Sequence, residues 1–124
     1  MTLESGTVLV VDDDEDTREV VAEILRDEGF RVRTACDGSE ALELAARLPH
    51  PVAILLDLVM PGMGGREVLR RLRSQPDLAN IPVCIVSGEA GFPPGANLAV
   101  RKPLLVHRLV RVLEWLREFC RAPS

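Results

Sequence analysis

Lysine is nearly absent from this chain: 14 of its 15 basic side chains are arginine, and Lys102 alone is lysine. Positive charge is not in surplus either, because 19 acidic residues leave a formal net charge of −4. Binding a phosphate backbone needs a basic surface that displaces counterions, so a general nucleic-acid binder is excluded and no direct DNA contact is expected. No run of about 18 apolar residues exists, which excludes a membrane-spanning helix. The opening residues Met1 to Gly6 lack the basic and apolar regions of a secretion signal, and the odd number of cysteines points to a reduced, cytoplasmic compartment. Three cysteines, Cys36, Cys84 and Cys120, form no CxxC pair and have no nearby histidine, which argues against a disulfide framework or a zinc site. Cys36 and Cys84 lie in apolar stretches and are expected to serve as small buried hydrophobes.

The 124 residues suit a single domain over 1–124 with one substantial core. Thr7 to Val11 is a short β-branched apolar run followed at once by acids, the pattern of a buried strand. A helix follows, with Asp14 as cap, Val20, Val21, Ile24 and Leu25 on its apolar side, and Gly29 placed to end it. Arg31 to Ala35 alternates as a second strand, and a second helix carries Leu42, Ala45 and Leu48 before Pro49 and Pro51 stop it. Val52 to Leu56 is a third strand ending on Asp57. A third helix holds Val68, Leu69 and Leu72 among arginines. Strands are expected at Val83 to Val86 and Leu98 to Val100. A final helix over 104–120 shows an apolar arc through Leu105, Leu109, Val112, Leu113, Leu116 and Phe119.

Alternating strands and helices predict an α/β fold: a doubly wound, five-stranded parallel sheet with right-handed crossovers. One crossover breaks the rhythm. Ser87 to Asn97 contains Gly88, Gly91, Pro93, Pro94 and Gly95, which disfavour a helix, so a loop with at most one turn is expected there.

In such sheets ligands bind beyond the carboxyl ends of the strands. Here those ends carry Asp12 and Asp13, then Asp57, then Ser87, with Lys102 after the fifth strand. Strands about 4.8 Å apart bring these groups around one point. Three adjacent carboxylates repel unless a hard cation neutralises them, and magnesium suits few carboxylates plus water. A hydroxyl and a compact ammonium would receive the remaining oxygens of a phosphoryl group. The set fits phosphoryl transfer to a carboxylate. Asp14, Glu15 and Asp16 read instead as an acidic helix start complementing its dipole. His50, between prolines, and His107, on the last helix, read as exposed surface residues.

Four segments, Val10 to Asp14, Leu56 to Met63, Val86-Ser87-Gly88 and Lys102-Pro103-Leu104, resemble the receiver domain of bacterial two-component response regulators. The likeness covers essentially the whole chain and implies a flavodoxin-like sheet of order 2-1-3-4-5. It implies that Asp57 accepts a phosphoryl group from a sensor histidine kinase, a phosphotransfer protein or a small phosphodonor. It further implies Mg2+ held by Asp13, by Asp12 largely through water, by Asp57 and by the backbone carbonyl of Val59. Ser87 would be the switch hydroxyl and Lys102 the phosphoryl partner, in a signalling domain whose only chemistry is its own phosphotransfer and dephosphorylation.

The chain also departs from that family. Ser87 and Lys102 are fifteen positions apart, too close for the usual fourth crossover helix, which is expected to be shortened or missing. Ala99 stands where an aromatic residue is common. Val59 and Glu89 occupy variable positions flanking the site. The lost helix should uncover an apolar flank of the last helix at Val106, Val110 and Trp115, which would bind an output protein or a second copy through the last strand and helix. Two rival readings remain at this point. One is a degenerate receiver that binds partners without phosphorylation; the other is an aspartyl-phosphate hydrolase, which would want a second Asp at the position of Val59.

Overall fold

A computed structural model describes residues 7–47, 51–89 and 91–120. The chain runs β1 (Thr7–Val11), α1 (Glu15–Asp27), β2 (Val32–Ala35), α2 (Gly38–Arg47), β3 (Pro51–Asp57), α3 (Gly65–Ser74), β4 (Val83–Ser87), β5 (Leu98–Arg101) and α4 (Val106–Cys120). All neighbouring strands pair in parallel, in the order β2-β1-β3-β4-β5. The doubly wound parallel sheet is the one expected from the strand and helix pattern, and its flavodoxin-like order is the one the receiver-domain resemblance implied. β3 begins one residue earlier than expected, at Pro51, where a first-residue proline sacrifices no interior ladder bond. Leu48, Pro49 and His50 lie outside the described residues.

Alternation along each strand fills two cores, one on each face of the sheet. Leu9, Val11, Ile54, Leu56, Val83 and Ile85 pack against α2 and α3 through Ala41, Ala45, Val68, Leu69 and Leu72. Val8, Val10, Ala53, Leu55, Cys84 and Val86 pack against α1 and α4 through Val21, Leu25, Val112 and Leu116. Each fully buried Leu or Val contributes about 1.5–3 kcal/mol, which makes these two faces the main source of stability.

Local signals set the helix ends. Gly29, at φ +99°, lets the Gly29 amide donate to Arg26 and the Phe30 amide donate to Leu25, closing α1 in a Schellman motif. Asp14 stands at the start of α1, but its carboxylate accepts from the Thr17 hydroxyl instead of a helix amide. At α2, Asp37 accepts from the Glu40 amide and Glu40 reaches back to the Cys36 amide, one residue before the cap, both at 2.8 Å, forming a variant of the capping box. That turn corrects the expectation for Cys36, which is exposed because β2 has already ended at Ala35. Cys84, inside β4, is buried as expected, and burial pushes its thiol up to about 12.

Among the described residues no helix joins β4 to β5. The connection makes one turn, with the Ala96 amide on the Pro93 carbonyl and Gly95 at φ +93°. Arg73 of α3 holds it in place. Its guanidinium donates to the carbonyls of Ala79, Ile81 and Gly95 and to the side-chain oxygen of Asn97, so all five of its N–H donors are engaged. The same Asn97 oxygen accepts from the Val83 amide, and the Asn97 amide donates to the Val83 carbonyl. A charged side chain and an amide thereby satisfy backbone groups that would otherwise lack partners.

The apolar arc of α4 is narrower than expected. Val112, Leu113 and Leu116 are buried, whereas Leu105 and Phe119 are exposed. Leu105 precedes the first helical residue, Val106. Phe119 lies near the far end of a helix that rises about 22 Å, beside strands that span only about 17 Å. Trp115 is half-buried against the second core, with Phe119 edge-on to it at 5.1 Å, so it is not part of an open flank. Val106 and Val110 are exposed there, as is His107.

Candidate functional site

Because all five strands are parallel, their carboxyl ends share one edge of the sheet. Asp12 and Asp13 follow β1, Asp57 closes β3, Ser87 closes β4, and Lys102 follows β5. Strand register aligns Asp57 with Val86 and Ser87 with Arg101, which keeps these ends level. The groups singled out in the sequence therefore come together, across up to 90 residues of chain.

Asp12, Asp13 and Asp57 each offer an oxygen within 4.8 Å of the others. Asp12 and Asp57 are buried, while Asp13 faces solvent. Lys102, a quarter exposed, reaches both buried acids, at 2.8 Å from Asp12 and 3.3 Å from Asp57. The other Asp57 oxygen accepts from the Val59 amide at 3.2 Å. The other Asp12 oxygen accepts from the Asp14 amide at 2.9 Å. Ser87 is buried, and its hydroxyl accepts from the Glu89 amide at 3.1 Å.

Burial raises the Asp57 carboxyl above its ordinary value; the Asp12 charge adds to the rise and Lys102 opposes it. Burial pulls Lys102 down, but the pairs with Asp12 and Asp57 outweigh it and leave the ammonium held more firmly than usual. One ammonium faces three carboxylates, which leaves an excess of negative charge lined by hard oxygen donors. Such a set fits a divalent cation of the magnesium type.

Two residues that the sequence did not single out complete the frame. Gly65 opens α3 directly behind Asp57. A Cβ there would stand 2.3 Å from the Asp57 carbonyl oxygen and 2.8 Å from the Leu58 Cα, so only glycine permits this approach. Its amide donates to the Leu58 carbonyl at 2.9 Å. Arg18 of α1 donates to the Asp12 carbonyl at 2.9 Å and steadies the acidic loop. A glycine directly after Gly64 and three residues after Gly62 was a legible hint; Arg18 was indistinguishable from the other arginines. Val59 and Glu89 flank the site as expected, both exposed. A groove of about 560 Å³ opens beside Lys102, between α1 and the start of α4, lined by Val20, Val21, Pro103 and Leu104.

Comparison with known proteins gives a consistent family. The model of the response regulator receiver domain matches residues 8–114. The transcriptional regulatory protein PrrA of Mycobacterium tuberculosis is 40% identical over 121 residues, spanning 91% of this chain and 51% of that protein. Chemotaxis protein CheY4 of Vibrio cholerae superposes with a TM-score of 0.80 at 31% identity, covering 90% of this chain and 98% of that one. Response regulator protein TrrA of Thermotoga maritima, determined in complex with Mg2+ and BeF, gives a TM-score of 0.78 at 27% identity over 90% of this chain and 98% of that one. The chain spans about half the length of the curated relatives it matches. On its strand-end site, and on a family match that covers most of its length, the chain belongs to the response regulator receiver-domain family.

Proposed function

We propose that Asp57 is the phosphoacceptor of this signalling domain, taking a phosphoryl group from a phosphohistidine donor or a small phosphodonor. One observation carries the reading: Asp57 is buried at the end of β3, 3.3 Å from the only lysine, with Asp12 and Asp13 within 4.8 Å. An Asp57 oxygen attacks phosphorus, a P–O bond forms, and the P–N or P–O bond to the donor breaks with its electron pair leaving on the donor atom. Lys102 swings its charge from the two acids to the new phosphoryl oxygens, and Ser87, whose oxygen accepts from the Glu89 amide, donates its hydroxyl proton to one of them. Asp12, Asp13, Asp57 and the Val59 carbonyl are the groups that would hold Mg2+. When bound, that ion neutralises the crowded carboxylates and incoming phosphoryl charge. Hydrolysis of the acyl phosphate by water returns the domain to its starting state.

The sensor kinase or phosphotransfer protein is the donor partner, and the groove beside Lys102 is the surface open to it. The exposed Val106 and Val110 on α4 are offered to an output protein or a second copy. Relatives are named as transcriptional regulators, but this chain matches about half of each, and we assign no direct nucleic-acid contact to these 124 residues. No helix among the described residues is long and apolar enough to cross a membrane. The contact of Lys102 with Asp12 and Asp57, beside Asp13, supports a working acceptor over a degenerate receiver. Val59, where a hydrolase would want a second acid, speaks against turnover of external phosphate esters.

Mass spectrometry after incubation with acetyl phosphate, with and without magnesium, tests the reading. One added phosphoryl group that needs magnesium and disappears in Asp57→Asn is expected; an unmodified mass, or an adduct that survives the substitution, overturns it.

A further inference from the structure

The connection that replaces a crossover helix leaves a groove of about 400 Å³ between itself and α3, on a face separate from the strand-end acids. Leu69 forms its apolar floor, Pro93 and Pro94 one wall, and Arg66, Arg70 and Arg73 the other. On the same connection Phe92 is 60% exposed. The charge is local and opposite in sign to the whole. α3 carries four arginines against one glutamate in ten residues, in a chain of net charge −4. Glu67 pairs with Arg70 at 2.6 Å and with Arg71 at 2.8 Å, and so offsets only one of these charges. Arg73 donates only to neutral oxygens, which leaves its positive charge uncompensated. Among the described residues Arg66 makes no ion pair.

We propose that this groove is a docking site for an acidic segment of a partner protein that carries one apolar or aromatic anchor. The anchor fits against Leu69 and the prolines, where water is readily displaced, and flanking carboxylates meet Arg66 and Arg70 at the rim. Arginine suits this role because its planar fork takes a carboxylate in two parallel bonds. Proline walls are already rigid, so little entropy is lost when a segment settles between them. Docking here requires no phosphoryl group on Asp57, so it stands or falls apart from the acceptor reading.

The test uses the full chain and a fluorescent twelve-residue peptide rich in glutamate with one Leu-Phe pair, read by anisotropy. Backbone amide NMR locates the contact. Saturable binding is expected, with shifts confined to α3 and residues 91–97. Arg66→Glu combined with Arg70→Glu is expected to weaken it by about tenfold or more. Arg111→Glu, on the exposed side of α4, changes the charge with the same sign and is expected to leave binding within about twofold. Matched circular dichroism and melting curves establish that the variants are folded. The proposal is overturned by no saturation up to about 1 mM peptide, by shifts elsewhere, or by equal weakening per charge in Arg111→Glu. Equal affinity for a peptide with glutamine in place of glutamate, or with glycine in place of the Leu-Phe pair, overturns the acidic or the anchored half of it. Tighter binding of a short DNA duplex at the same residues replaces the partner protein with nucleic acid.

Discussion

The Lys102 ammonium lies 2.8 Å from Asp12, a shorter contact than the 3.3 Å it makes to Asp57. The lysine therefore rests mainly on Asp12 and not on Asp57, the proposed acceptor, and it is free to shift toward Asp57 when new anionic oxygens arrive. A guanidinium is larger and would occupy the space those oxygens need. Lys102→Arg is expected to slow formation of the phosphoryl adduct at least about tenfold while keeping the charge. Lys102→Ala leaves two buried carboxylates without their cation and is expected to lower stability by about 1–3 kcal/mol in chemical denaturation. Rates equal to the unsubstituted chain in Lys102→Arg would remove the argument from size.

Stability should respond to pH through Asp57 with a definite sign. Its folded value lies above the ordinary 3.8 because burial disfavours the charged form. Between those two values the folded state holds the extra proton, so the group's contribution is present below 3.8 and lost as pH rises through the raised value. At neutral pH the ionised Asp57 weighs against folding. Metal-free Asp57→Asn is thus expected to melt higher than the unsubstituted chain at neutral pH, with the gap closing in acid. Excess magnesium should reverse the order, since it stabilises only the chain that binds it. Calorimetry in chelator and in magnesium reads both effects.

Gly65→Ala places a methyl group against the backbone of the acceptor residue, at 2.3 Å from the Asp57 oxygen. Neither backbone can yield without moving β3 or α3. A loss of about 2–4 kcal/mol is expected, together with slower phosphoryl uptake, because the strand end that aims Asp57 has shifted. Gly88→Ala serves as the comparison, since a Cβ there meets nothing within 4 Å; it should cost little stability.

Arg73 is expected to be the most sensitive charged residue outside the strand-end site. Arg73→Ala removes five hydrogen bonds to the turn after α3 and to the β4–β5 connection. A loss of about 2–4 kcal/mol and faster hydrogen exchange over residues 91–98 are expected. Arg73→Lys keeps the charge but cannot span the carbonyls of Ile81 and Gly95 at once, so it should recover only a minor part. Asn97→Ala breaks the same network, and the double variant should lose less than the sum of the two single ones. Strict additivity would show that the two residues act independently.

Much of this is legible in the sequence. The β-branched runs, the acids directly after them and Gly29 at the end of α1 specify strands and stops through local sterics and hydrogen bonding. The glycines and prolines of residues 88–97 likewise excluded a regular helix. Less legible were features that depend on what lies across space. Cys36 read as buried because its neighbours are apolar, yet the capping box at Asp37 and Glu40 turns it outward. Leu105 and Phe119 matched a helical arc that the short strands are not long enough to cover.

By itself the sequence determined which groups meet at the strand ends, because parallel strands must end on one edge and the residues at those ends are written in order along the chain. Only the tertiary structure decided that Lys102 leans on Asp12, that Gly65 is wedged behind Asp57, and that one arginine among fourteen stands in for a missing helix. Local chemistry carries the first kind of information. The second arises where residues distant in the chain compete for the same space and the same hydrogen bonds, and only packing settles that competition.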